Sequence, residues 1–146
     1  MFQVLVSIQG LVLVREPWYL EPGFEKQRGT AEAALASDLY SERTYVLARG
    51  FIRRALEGPR FSGGLAEPLA HYYFGPAKRL QLVVDQARDV VRRSDAEPTP
   101  EASERERERE KAGGIVQLTK GSLIPLKRTL ANLERLLEAG KPAWSS

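Results

Sequence analysis

The sequence FQVLVSIQGLVLV, residues 2–14, decides how this chain can fold. Its 13 residues are aliphatic or aromatic at every position except the four that carry Gln3, Ser7, Gln9 and Gly10. A bilayer-spanning helix needs ~20 such residues, and a secretory signal needs a basic segment ahead of the apolar run. The high valine content favours a strand, whereas the length allows either a buried strand or a buried helix. Either element must be covered by other parts of the structure.

The composition of the chain excludes most kinds of catalytic and metal site. Its 146 residues include no cysteine, so disulfides, thiolate metal sites and thiol nucleophiles are all excluded. A single histidine, His71, rules out a multi-histidine metal site, and no glycine-rich phosphate loop or serine triad is present. We therefore expect neither a cofactor nor a metal.

The charge pattern argues against a nucleic-acid or membrane surface. The net charge is +3, from 22 basic and 19 acidic residues. The arginines at 49, 53 and 54 and at 88, 92 and 93 lie near the ends of predicted helices, where cations complement the helix dipole. We expect no nucleic acid and no membrane as partner, and a cytoplasmic location with the nucleus as the alternative.

The residues after the apolar run predict a loop and then helices. Residues 15–36 read as a loop, since Pro17, Pro22, Gly23 and Gly29 punctuate them. A short helix over 31–36 with Thr30 as its cap is an option. Ser37 is then expected to cap a helix that stops at Gly58-Pro59. Its predicted buried face comprises Tyr40, Thr44, Leu47, Phe51 and Ala55.

Two further helices and a charged linker follow. Residues 65–73 predict a short helix, and 77–93 predict an amphipathic helix. The apolar side of the second comprises Leu80, Val83, Val84, Ala87 and Val91. The alternating Glu-Arg run at 104–111 sets opposite charges three residues apart and like charges four apart, so these small terms cancel. Residues 94–112 therefore predict a linker whose charged run is either a marginal, solvated helix or disordered.

A leucine-rich helix is predicted near the C-terminus. Ser122 is its expected cap, with Pro125 tolerated in the first turn. Leucines at 123, 126, 130, 133 and 137 form a seam of about two heptads. Docking onto the chain's own helices is the favoured interpretation of this seam, and self-association or a partner helix is the alternative.

The ordered series of motifs along the chain resembles one family. After the apolar run come Glu16-Pro17 and Glu21-Pro22-Gly23-Phe24-Glu25, then Tyr40-x-Glu42, Arg49-Gly50-Phe51 and Tyr72-Tyr73-Phe74. The series is similar to the C-terminal part of the ubiquitin-conjugating (E2) domain, of the large E2/E3-hybrid and giant inhibitor-of-apoptosis type. It covers residues 2–93 well and 113–138 loosely, and it selects a helix for residues 2–14.

This resemblance implies a fold and a division into domains. We expect a mainly α fragment, the C-terminal half of an α+β domain whose sheet and cysteine lie upstream of residue 1. The expected parts are a partial E2-like domain at 1–93, the linker at 94–112, the leucine-rich helix at 113–139 and a tail at 140–146.

The resemblance also implies site residues. The helix after the family's cysteine presents one face to the donor ubiquitin, and by position that face is Gln3, Val6 and Gly10; packing in the core is the alternative. Glu21 matches the acidic residue that borders the active site and could orient the incoming lysine, with Glu16 as its competitor. Trp18, Tyr19 and Phe24 are expected to pack the loop rather than stack on a ligand.

The resemblance finally implies a function. E2 enzymes carry ubiquitin as a cysteine thioester and pass it to a lysine, so this chain alone is expected to form no thioester. A non-catalytic helical module that binds ubiquitin or another protein is the alternative. Ubiquitin is the candidate partner, whereas the surfaces that bind activating enzymes and ligases are expected to be missing.

Overall fold

The computed structural model describes Gln3 and residues 16–58, 64–96 and 118–144, and these residues contain helices and turns but no β-strand. The expected mainly α fragment is confirmed over this part of the chain. Gln3 is helical, whereas the rest of the apolar run and residues 97–117 lie outside the described residues. No helix in the described part combines the length and apolar composition that crossing a bilayer requires.

Four α-helices and two short 3-10 helices make up the described structure. The 3-10 helices are Pro17–Leu20 and Glu25–Gln27, and the α-helices are α1 (Ala31–Glu57), α2 (Ala66–Phe74), α3 (Arg79–Asp95) and α4 (Lys120–Ala139). Contacts group the chain into two compact units, Met1–Tyr45 and Val46–Ser146, whose boundary falls inside α1. The predicted linker and tail boundaries stay predictions.

Helix α1 is one helix of 27 residues where the sequence predicted two. Thr30 is its cap: the Thr30 hydroxyl accepts the backbone N–H of Ala33 at 3.2 Å. The predicted cap Ser37 is wrong, since it lies buried inside the helix. Residues 31–49 contain no glycine or proline, so nothing in the sequence ends the helix before Ser37.

Most of the predicted buried face of α1 is also wrong, since the first four of its five residues are exposed. Leu47 is 55% exposed and Phe51 is 58% exposed, whereas Ala55 and Leu56 are buried at the end of the helix. Periodicity identifies an apolar face, but a residue is buried only where another part of the chain packs against it. In the second unit, the residues after α4 contact the last turn of α1.

Helices α3 and α4 form an antiparallel hairpin. Arg88 pairs with Glu134 at 2.7 Å, and Asp95 pairs with Lys127 at 2.8 Å. The second pair lies seven residues later on α3 and seven residues earlier on α4, so the two helices run in opposite directions. The buried leucines and other apolar residues of the two helices are Leu80, Val84, Ala87, Val90, Leu123, Leu126, Leu130, Leu133 and Leu136. The favoured interpretation of the leucine seam, docking onto the chain's own helices, agrees with this packing.

The details of α4 differ from the prediction. The helix begins at Lys120 after the extended residue Thr119, so the predicted cap Ser122 lies inside it. Pro125 is consequently in the second turn, where its missing N–H leaves the carbonyl of Gly121 without an intrahelical donor. Leu136 is buried and Leu137 is only half-buried, because a helix of 3.6 residues per turn drifts from a strict heptad.

A tight turn joins α2 to α3 in the same unit. The N–H of Gly75 bonds to the carbonyl of His71 at 2.9 Å, and a Cβ at Gly75 would lie 2.2 Å from that oxygen. Only glycine fits there. Lys78 then adopts the left-handed conformation, with φ of 47°, before α3 begins.

Candidate functional site

The loop at residues 16–30 carries the acidic residue that the sequence analysis singled out, and two tight turns shape it. In the first, the N–H of Phe24 bonds to the carbonyl of Glu21 at 3.1 Å. Pro22 occupies the second position of this turn, and Gly23 occupies the third with φ of +97°. These are the residues of a type II turn, so Glu21 stands at its first position.

The second turn leads directly into α1. The N–H of Thr30 bonds to the carbonyl of Gln27 at 3.1 Å. Arg28 has φ of −55° and ψ of 129°, and Gly29 has φ of +97°, which is again type II geometry. Because Thr30 also caps α1, the loop is anchored to the helix by consecutive hydrogen bonds.

Three aromatic rings pack inside this loop. Trp18 stacks on Phe24 with ring centroids 4.3 Å apart and planes 20° from parallel. Tyr19 meets the edge of Trp18 at 5.1 Å and is buried. The guanidinium of Arg28 lies 4.7 Å from the Tyr19 ring centroid, at cation–π distance. The geometry fits the predicted packing role of these aromatics.

The two candidate carboxylates of the loop, Glu16 and Glu21, have different surroundings. Glu16 forms an ion pair with Arg28 at 3.6 Å, so its charge is engaged. Glu21 is exposed, and among the described residues it has no ion-pair partner. The backbone of Glu21 is held by a bond from its N–H to the carbonyl of Trp18 at 3.4 Å. A free carboxylate on a fixed backbone can accept a hydrogen bond from an incoming amine.

The predicted ubiquitin-facing residues fall mostly outside the described part. Gln3 is helical and exposed, which is compatible with an outward face. Val6 and Gly10 lie outside the described residues, so the shared face of these three residues stays a prediction.

The single histidine of the chain belongs to the other compact unit. His71 lies exposed on α2, in the second compact unit. Among the described residues, no group of three or more acidic, histidine or cysteine side chains is placed to hold a metal ion.

Sequence reasoning missed two features that tertiary contacts create. Arg28 forms an ion pair with Glu16 and lies over the ring of Tyr19. No local sequence pattern predicts these two contacts. In the second unit, an open cleft of about 390 Å³ lies between the end of α1, the last turns of α4 and the residues after α4. It is lined by Glu57, Asn132, Arg135, Leu136, Ala139, Lys141, Pro142 and Ala143.

Part of this chain is similar in sequence to proteins named as ubiquitin-conjugating enzymes. The chain is 50% identical over 48 residues to the probable ubiquitin-conjugating enzyme E2 25 of Arabidopsis thaliana, which is 33% of this chain and 8% of that protein. It is 48% identical over 48 residues to the putative ubiquitin-conjugating enzyme E2 39 of the same plant, which is 33% of this chain and 15% of that protein.

A human protein extends the comparison to the large hybrid type. The dual E2 ubiquitin-conjugating enzyme/E3 ubiquitin-protein ligase BIRC6 of Homo sapiens is 53% identical over 38 residues, 26% of this chain and 1% of that protein. No protein-family profile matches the chain. The resemblance found in the sequence is confirmed over about a third of the chain, and the chain spans only a small part of each relative's length.

Proposed function

We propose, from the premise that this chain carries part of a ubiquitin-conjugating enzyme sequence, that it is the helical portion of an E2-type domain. Its role is to present Glu21, and the predicted ubiquitin-facing residues Gln3, Val6 and Gly10, to a ubiquitin thioester. The cysteine of that thioester has to come from outside this chain, which contains none. By itself the chain is inactive in ubiquitin transfer, and ubiquitin is its proposed partner.

The state of Glu21 is the observation that carries this proposal. An attacking lysine must lose a proton, and a nearby carboxylate can orient the amine and assist that loss. Glu21 is exposed at the head of a type II turn, whereas Glu16 is engaged by Arg28 at 3.6 Å. The stacked pair Trp18 and Phe24 braces the same turn. Positioning by a rigid loop is what an orienting group needs.

A charging assay tests the inactivity of the chain alone. The chain is incubated with activating enzyme, ubiquitin and ATP, and the products are separated with and without reductant. No reductant-sensitive ubiquitin adduct is expected, because the chain has no thiol. A reductant-sensitive adduct on the chain would contradict the proposal.

A chimera tests the role of Glu21. The segment of the Arabidopsis E2 39 protein that matches this chain is replaced by this chain's own sequence, and the charged chimera is discharged onto free lysine. Glu21→Gln should slow discharge by about tenfold or more, with charging unchanged, because an orienting base is lost. Glu16→Gln is the matched control and should leave discharge near the parent rate. Equal rates for both variants and the parent would refute the assignment of Glu21.

A second candidate function is a non-catalytic module that binds ubiquitin. The observation that favours it is the exposure of Leu47 and Phe51, one helical turn apart on α1. Ubiquitin labelled with ¹⁵N is titrated with the chain and followed by NMR. Under this function, shifts that appear with the parent chain should be lost with Phe51→Asp and kept with Leu82→Asp, an exposed position on α3. Unperturbed ubiquitin signals at high concentration of the parent would exclude it.

A further inference from the structure

The C-terminal end of α1 is completed by residues that follow α4. The last four carbonyls of a helix have no intrahelical donor. The Arg54 carbonyl accepts the N–H of Gly58 at 2.9 Å, as expected for a local cap. The Ala55 carbonyl instead accepts the indole N–H of Trp144 at 3.1 Å, and the Leu56 carbonyl accepts the N–H of Ala143 at 2.9 Å.

The residues that supply these two donors form a short C-terminal strap, residues 140–144. Gly140 ends α4 in the left-handed conformation, with φ of +67°, and its N–H bonds to the carbonyls of Leu136 and Leu137. Pro142 is buried and Trp144 is partly buried, whereas Lys141 and Ala143 are exposed. Hydrogen bonds therefore hold the strap at both ends: the N–H of Gly140 bonds to α4, and the indole N–H of Trp144 bonds to α1.

We propose that the strap is a releasable clasp that couples the end of α1 to the α3–α4 hairpin. The hairpin has its own core and its own ion pairs, Arg88 with Glu134 and Asp95 with Lys127, and none of these uses the strap. Among the described residues, the strap adds two hydrogen bonds, the burial of Pro142 and the partial burial of Trp144, which is a small set of contacts. It can therefore detach while the hairpin stays folded.

Release of the clasp has a defined structural consequence. The cleft of about 390 Å³ has Lys141, Pro142 and Ala143 on its strap side and Glu57 at the end of α1. Detachment removes that wall and uncovers the two carbonyls at the end of α1. The device is independent of the proposed function, since it involves neither Glu21 nor the apolar run.

Fluorescence of a single tryptophan tests whether the clasp releases separately. The chain has two tryptophans, so Trp18→Phe leaves Trp144 as the sole reporter in the full chain. Urea is titrated while Trp144 emission and helical circular dichroism are recorded on the same samples. The emission should shift to the red at a lower urea concentration than the loss of helicity. Coincident transitions would overturn the proposal, because the strap would then be part of one cooperative core.

Hydrogen exchange provides the second arm. Trp144→Phe keeps the aromatic ring but removes the N–H that caps Ala55. Exchange of the backbone amides in the last turn of α1 should rise about fivefold, which corresponds to the loss of one ordinary hydrogen bond. Exchange in α3 should stay unchanged, and Trp18→Phe should have no effect on either region. A uniform rise across α1 and α3, or no rise at all, would overturn the proposal.

Discussion

The guanidinium of Arg88 on α3 meets the carboxylate of Glu134 on α4 at 2.7 Å, although the two residues are 46 positions apart in the chain. The hydrogen bond to Glu134 raises the pKa of Arg88 above its already high value. Together with Asp95 and Lys127 at 2.8 Å, this pair marks a single antiparallel register for the hairpin.

A charge exchange tests that register. Glu134→Arg alone sets two cations side by side and should lower the urea midpoint of unfolding. Adding Arg88→Glu restores opposite charges and should recover most of the loss. The effect should shrink in high salt, because both side chains are partly exposed. Failure of the double variant to recover, measured by circular dichroism, would argue against this register.

Truncation of a leucine measures the hairpin core. Leu133 is fully buried, so Leu133→Ala should lower the free energy of unfolding by about 2–5 kcal/mol through lost burial and a residual cavity. Ile124 lies on the same helix but is 70% exposed, and Ile124→Ala should change stability by less than about 0.5 kcal/mol. Similar losses for both variants would contradict the packing described for α4.

A pair of glycine substitutions tests the turn that holds Glu21. Gly23→Ala forces a side chain into φ of +97° and should cost about 1–2 kcal/mol. Gly50 lies inside α1, where an added Cβ would meet nothing within 4 Å. Gly50→Ala should therefore stabilise the chain by up to about 1 kcal/mol. Thermal unfolding of both variants decides the matter: the two shifts in melting temperature should have opposite signs.

Removal of the helix cap tests where α1 begins. Thr30→Ala removes the oxygen that accepts the Ala33 N–H and should cost about 0.5–2 kcal/mol. The matched control Thr44→Ala replaces an exposed threonine inside α1 and should be neutral or slightly stabilising, because alanine is the better helix former. Urea unfolding compares them, and an equal loss at Thr44 would show that capping is not the cause.

Alkaline pH should destabilise the chain through Tyr73. Burial raises the pKa of the Tyr73 phenol above its ordinary value of 10.0, and the neighbouring Tyr72 adds to this shift. The unfolded chain then releases this proton at lower pH than the folded chain does. The contribution of Tyr73 to stability is thus fully present below about pH 10 and is lost as the pH rises through the folded pKa. Urea midpoints between about pH 8 and pH 11 should fall less steeply for Tyr73→Phe than for the parent, and parallel curves would contradict this cause.

The hairpin could largely be predicted from the sequence. Four of the five leucines predicted for the seam, at 123, 126, 130 and 133, are buried. On α3, Leu80, Val84 and Ala87 of the predicted apolar side are buried. Val83 and Val91 are only half-buried, and the buried Val90 was not predicted. The correctly predicted residues repeat at three and four positions within one helix, so their shared face follows from helix geometry alone.

The features of α1 could be predicted only in part. Thr30 was an optional cap for a short helix over residues 31–36, and Ser37 was predicted to cap a second helix. Both side chains carry a hydroxyl that can accept a backbone N–H, so residue type alone did not distinguish them. An oxygen that can cap does so only where the backbone actually turns, and the helix passes through Ser37. The exposure of Leu47 and Phe51 was missed because it depends on which elements reach that face.

The candidate carboxylate shows the same division. The resemblance singled out Glu21, through its place before Pro22. The sequence predicted a loop here, and the structure gives it the type II geometry that Pro22-Gly23 favours. The sequence left Glu16 as its competitor. Glu16 forms an ion pair with Arg28, and this pair joins residues whose side chains meet only once the loop has closed. The choice between the two carboxylates stays a prediction.

By itself, the sequence determined the helical character of the chain, the loop before α1, the leucine seam and the relation to ubiquitin-conjugating enzymes. All of these depend on residues close together in the chain or on the order of short motifs. Tertiary structure alone decided the antiparallel register set by Arg88 and Glu134, the engagement of Glu16, and the capping of Ala55 by Trp144. The physical reason is that hydrogen bonds and ion pairs act over a few ångströms, so partners 46 or 89 positions apart become neighbours only after the helices have packed.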